Sequence, residues 1–158
     1  AAIIRTPLAL LLIVLKNFNQ TLKKRFLFER KNFIESECRS FKKDNVIADY
    51  CFEISSEGEL EQVRPVIEYL LNEKKRLEIL FSSPSVESKC LKMARDNNDQ
   101  LRVFRLPLVT HNFFFQTAQK WMSAPKLIFC RYDFFPELLI IKFFRKKIFH
   151  NIFSIILV

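Results

Sequence analysis

Glycine is almost missing from this chain. A domain of 158 residues holds about ten glycines at average usage, and here there is one, Gly58. Phosphate-cradling loops of the G-x-G-x-x-G or Walker type, which need several glycines close together, are thereby excluded. The four cysteines, Cys38, Cys51, Cys90 and Cys130, have no C-x-x-C spacing. They form neither a zinc pattern nor a disulfide framework, and free core cysteines fit a reducing cytoplasm. His111 and His150 stand apart without metal-ligand spacing, so the expected metal is none. Apolar runs are also short: residues 8–15 fall well below the 20 or so needed to span a bilayer. No internal repeat or low-complexity tract is present.

What is there bounds the class. An apolar fraction of 49% excludes a disordered chain, and 27% charged residues exclude one wholly embedded in a membrane. The length suits one good core, with extra segments at its ends. Net charge is +9 and unevenly spread: residues 16–43 carry nine Lys/Arg against three Glu. This basic stretch follows an apolar segment, residues 3–15, broken only by Arg5, Thr6 and Pro7. Such a pairing suits the anionic cytoplasmic surface of a membrane. Nucleic acid is not expected, because no DNA- or RNA-binding signature accompanies the charge. Residues 1–43 therefore read as a membrane-associated segment, either an interfacial helix or the end of a longer anchor. A plain amphipathic core helix is the alternative.

From residue 46 the pattern is regular. Strands are predicted at 46–55, 77–81, 101–106 and 126–130. The helix after the first buries Leu60, Val63, Ile67, Leu70 and Leu71 on one face. Pro65 is tolerable near that helix's start and kinks it otherwise. A second helical face carries Val86, Cys90, Leu91 and Ala94, and a further helix is expected over 110–122. Strand starts roughly 25 to 30 residues apart, each interval holding one helix, give the βαβ rhythm of a doubly wound, Rossmann-like parallel sheet. A fifth strand is expected within 148–158, so that 44–158 forms the α/β domain.

Three loops would meet at the carboxyl edge of that sheet, where open α/β folds bind ligands. Ser55-Ser56-Glu57-Gly58-Glu59 follows the first strand, and its lone glycine marks a backbone position expected to accept no side chain. Ser82-Ser83-Pro84-Ser85 follows the second and offers hydroxyls and amides to an anion at a helix start. Arg131-Tyr132-Asp133-Phe134-Phe135-Pro136-Glu137 follows the fourth and supplies a second acid. A carboxylate in such a cleft can serve as general base toward a hydroxyl. Each loop also has a plainer reading: Glu59 as a charge at the positive end of a helix, the serines as a capping turn, and Asp133 as a helix cap.

These segments resemble, in order and spacing, bacterial 3-deoxy-D-manno-octulosonic acid (Kdo) transferases. The first, followed by Pro65-Val66-Ile67, is similar to their S-x-G-E…P-L-I segment. Phe81-Ser82-Ser83-Pro84-Ser85 resembles a Thr-rich turn, and Leu106-Pro107-Leu108 resembles Y-L-P-L-D. Tyr132-Asp133-Phe134-Phe135-Pro136-Glu137-Leu138-Leu139 resembles T-E-L-W-P-N-L-L. The resemblance spans residues 53–139, and more loosely the apolar N-terminus, which is like that family's inner-membrane anchor.

The resemblance implies the N-terminal, acceptor-binding half of a GT-B glycosyltransferase. Such an enzyme inverts at the anomeric carbon without a metal or other cofactor. It moves Kdo from CMP-Kdo to a lipid A precursor, for lipopolysaccharide core synthesis at the cytoplasmic face of the inner membrane. Glu59 takes the place of the general base. Ser56, Gly58, Ser82, Ser83, Ser85 and Asp133 fall in the matched segments as substrate-binding candidates. The chain departs from the pattern at Glu53, where the family often has His, at Glu57 for a small or apolar residue, at Phe135 for Trp and at Glu137 for Asn. The domain that binds CMP-Kdo is not within these residues. A separate C-terminal donor domain is then the further partner, and alone the chain is expected to be inactive. The alternative function is a non-catalytic membrane-surface module that binds anionic lipid, or a decayed paralogue. A flavodoxin-like ligand-binding domain stands as a third reading.

Overall fold

Among the described residues, the apolar runs beginning at residues 50, 77, 101 and 126 form the strands of a single parallel sheet. The computed structural model describes residues 17, 19–107 and 117–130. Its strands are β1 (Tyr50–Ile54), β2 (Leu77–Phe81), β3 (Leu101–Arg105) and β4 (Lys126–Phe129). They lie in the order β3-β2-β1-β4. Tyr50 sits opposite both Leu77 and Lys126, and Leu77 opposite Leu101. Helices α1 (Gln20–Arg30), α2 (Glu57–Asn72), α3 (Glu87–Asp96) and α4 (Thr117–Trp121) complete the described elements, with short 3₁₀ turns between them. The expected helix over 110–122 is described only in its last part. The expected strand within 148–158, the apolar segment 3–15, His111 and His150 lie outside the described residues.

Near-continuous apolar strands demand cover on both faces, and the two apolar clusters follow the strand alternation. Phe52, Ile54, Ile79, Phe81 and Val103 point to one face, where Leu60, Ile67 and Leu71 of α2 and Cys90, Leu91 and Ala94 of α3 cover them. Cys51, Leu80, Phe104, Leu127 and Phe129 point to the other, under Phe41, Trp121 and Met122. Trp121 stacks on Phe104 at 4.9 Å and gives its indole N–H to the Cys38 carbonyl, 2.7 Å away. The apolar faces read from the sequence are thus those that pack.

The chain before residue 44 is part of this packing. Phe28 and Cys38 belong to the first cluster and Phe41 to the second. Asn32 lies along the outer edge of β3, where its side-chain amide accepts from Arg105 N at 2.9 Å and donates to Arg105 O at 2.8 Å. Among the described residues, no helix is long and apolar enough to cross a membrane.

Two local expectations change. Pro65 falls in the middle of α2, which starts at Glu57. It has no N–H to give the Glu61 carbonyl, a loss made tolerable because both residues face water. Gly58 is not at a position that forbids a side chain. It lies in the first turn of α2 at negative φ, and an added Cβ would meet only Ser56 Oγ, at 4.0 Å. Positive φ occurs at Asn45 (56°) and Lys74 (59°) instead. Lys74 ends α2 in the usual left-handed way, with Lys75 N bonded to Leu70 O at 2.9 Å.

Candidate functional site

The order β3-β2-β1-β4 places a topological switch between β1 and β4. The chain leaves β1 toward β2 on one side, while β4 lies on the other, and the crevice at the carboxyl ends of such a pair is where open α/β sheets bind ligands. The loop after β1 is the Ser55-to-Glu59 segment. Ser56 caps α2, its Oγ accepting from Glu59 N at 3.2 Å. The Glu59 carboxylate, half-buried, turns back over the cap. It accepts from Ser55 N at 2.5 Å and from the Ser55 hydroxyl at 2.8 and 2.9 Å. Glu57 leaves this group and reaches outward to Lys89 of α3, 3.2 Å away.

Beneath Glu59 the site is acidic. Glu53 of β1 is fully buried, and its carbonyl accepts from Cys130 N just beyond β4, at 3.2 Å. The Cys130 thiol is pushed up to about 12, first by burial and then by the carboxylates of Glu53 and Glu59. It therefore stays protonated and is no nucleophile near neutral pH. Asp133 and the rest of the loop after β4 lie outside the described residues.

The serines after β2 make a turn rather than an open cradle. Ser83 Oγ accepts from Ser85 N at 3.2 Å, and the two hydroxyls share a bond of 2.8 Å. Ser82 is buried, and its carbonyl accepts from Arg25 Nη1. Arg25 also donates from Nη2 to Leu106 O at 2.7 Å and from Nε to Glu29 at 2.8 Å. Helix α1 thus closes over the carboxyl ends of β2 and β3, leaving the β1/β4 side as the remaining edge among the described residues. Ser56, Gly58 and Glu59 are brought together, while Ser83 and Ser85 cap the turn into α3.

No protein-family model, curated protein or solved structure matches the chain.

Two buried charged side chains in the sheet, Arg105 and Glu78, were not singled out from sequence. Arg105, fully buried, reaches Glu35 at 2.6 Å, Glu87 at 2.7 Å and Cys38 Sγ at 3.3 Å. Lys31 joins Glu87 at 2.9 Å, so the cluster balances its own charge. Glu78, at the amino end of β2, accepts from Ser123 N, Ser123 Oγ and Ala124 N at 2.8 to 3.0 Å. Burial pushes its pKa above the ordinary value despite those donors. The visible signal for both is a charge inside an apolar strand. Among the described residues, no group of three or more His, Cys, Asp or Glu is placed to hold a metal.

Proposed function

We propose that this chain is the acceptor-side domain of a Kdo-transferase-like, inverting glycosyltransferase, with Glu59 as general base. The observation that carries the reading is the Ser55 hydroxyl, held 2.8 and 2.9 Å from the Glu59 carboxylate at the switch-point edge. That is the separation a substrate hydroxyl needs for proton transfer. An acceptor sugar hydroxyl would displace Ser55 Oγ and give its proton to Glu59. Its oxygen would form the new bond to the anomeric carbon of Kdo as CMP leaves with the electron pair of the bond that breaks. Ser56, Gly58, Ser82, Ser83, Ser85 and Asp133 belong to the acceptor side in this reading. CMP-Kdo belongs to a second Rossmann-like domain, and the lipid A precursor is met at the cytoplasmic face of the inner membrane. With a donor domain supplied, transfer from CMP-Kdo to that precursor is expected. Glu59→Gln should lower it at least 10²-fold, the usual worth of a positioned base. Unchanged transfer by Glu59→Gln would overturn the assigned role.

A second reading, a non-catalytic module on anionic lipid, is favoured by α1 and the turn after it. Leu27, Phe33 and Ile34 are 53, 66 and 79% exposed, beside exposed Lys23, Lys24 and Arg30. Apolar side chains in a basic surround suit an interface of phosphatidylserine headgroups. This reading expects sedimentation with phosphatidylserine vesicles that weakens with salt and is indifferent to Glu59→Gln.

A further inference from the structure

Residues 31–37 run along the outer edge of β3, where Asn32 pairs with the backbone of Arg105. The chain is anchored on both sides of them: Phe28 before, and Cys38 and Phe41 after, are buried in the apolar clusters. The segment itself buries no apolar side chain, since Phe33 and Ile34 are exposed. Apolar burial therefore contributes little to holding it in place, and nothing in the transferase reading uses it.

What holds it is polar. Besides the Asn32 amide, Lys31 meets Glu87 at 2.9 Å, Glu35 meets Arg105 at 2.6 Å and Glu37 meets Arg95 at 2.5 Å. The groups that face it are therefore Arg105 from β3 and Glu87 and Arg95 from α3, with Asp96 of α3 also beside Arg95. Cys38 touches Arg105 at 3.3 Å as a neutral thiol, pushed up to about 12 chiefly by burial. Arg95 holds the Glu37 carboxyl below the ordinary 4.5. Burial opposes ionisation of Glu87, but Lys31 and Arg105 outweigh it and leave its pKa lowered too. The stabilisation these two give is present above the unfolded value near 4.5. It is lost as pH falls through the lower folded values. A segment held by charge between two apolar anchors can open while the core stays closed.

We propose that residues 31–37 form a charge-held flap, which opens as a local unit and uncovers Arg105 and the backbone edge of β3 while the sheet stays folded. The Arg105 N–H, covered by Asn32 Oδ1, reports the closed flap in hydrogen exchange of the full chain followed by NMR. Corrected for intrinsic rates, it should exchange through an opening roughly tenfold or more frequent than the one that exposes the amides of β2. The urea dependence of that opening should be less than half that of β2, because little surface is uncovered. Opening should become more frequent as pH falls below 4.5, and Glu37→Gln should reduce that rise. Arg95→Gln changes an exposed side chain and should make opening about threefold more frequent at pH 7. Arg64→Gln, which removes an exposed charge from α2, should leave it unchanged. The proposal is overturned if Arg105 and β2 share one exchange rate and one urea slope, since the edge then opens only with the whole sheet. It is also overturned by an opening indifferent to pH below 4.5, by parent-like opening in Arg95→Gln, or by an equal increase in Arg64→Gln.

Discussion

Lys74 and Asn45 hold the left-handed backbone positions that glycine usually takes, while Gly58 sits in an ordinary helical turn. Scarcity of a residue therefore says little about where its special geometry is needed. The chain uses a short amide side chain at one such position and bears the strain of a lysine at the other. Lys74→Gly should stabilise the fold by about 1 kcal/mol, the cost of left-handed backbone for an L-residue. Gly58→Ala should add about 0.5 kcal/mol, since the site has room and the unfolded chain loses freedom. Urea midpoints with unchanged m-values would check both. If an acceptor approaches the backbone at Gly58, the alanine variant should instead bind it more weakly while being more stable. Ser56→Ala should cost about 1 kcal/mol, because it removes the cap of α2. The Ser55–Glu59 arrangement was legible from sequence as a helix start with an acid, yet the Ser55 hydroxyl as partner was not, since it depends on the direction the carboxylate turns.

At the scale of elements, β2 matches its sequence reading to the residue, whereas β1 begins four residues later than expected. The reason is where backbone donors go. Val46 N bonds Phe41 O at 3.0 Å and Ala48 N bonds Ser123 Oγ at 2.9 Å, so these residues close a turn instead of joining the ladder. Buried charges within elements make stability depend on pH in two directions. Glu37 is held below the ordinary 4.5 chiefly by Arg95. For Glu87, burial opposes ionisation but Lys31 and Arg105 outweigh it, leaving its pKa also below 4.5. Such groups stabilise the fold above their unfolded pKa, and that contribution is lost as pH falls through the lower folded values. Glu78 is shifted upward, so its contribution is lost as pH rises from 4.5 through the folded pKa. Glu78→Gln lacks this loss, and its stability relative to the parent chain should grow as pH rises above 4.5 in urea titrations. Arg105→Met, by leaving Glu35 without its cation and Glu87 with Lys31 alone, should cost about 3 kcal/mol.

Across the whole molecule, the rhythm of strand and helix was readable because each βαβ unit is local, and periodicity reports which face is buried. The N-terminal contribution was not readable in the same way. Arg25 meets Leu106 and Asn32 meets Arg105 across more than seventy residues of sequence, and no local pattern encodes such meetings. Charge and apolarity in the first 43 residues suggested a surface segment, yet their partners in the core could come only from the tertiary packing. Asn32 has a consequence for self-association in concentrated solution. By pairing both backbone groups of Arg105, its amide occupies a place on the outer edge of β3 that another chain's strand would otherwise fill. Asn32→Ala should leave that edge open to intermolecular pairing, with light scattering and thioflavin fluorescence that rise with protein concentration. A single side chain thus acts as a guard against fibrous self-association.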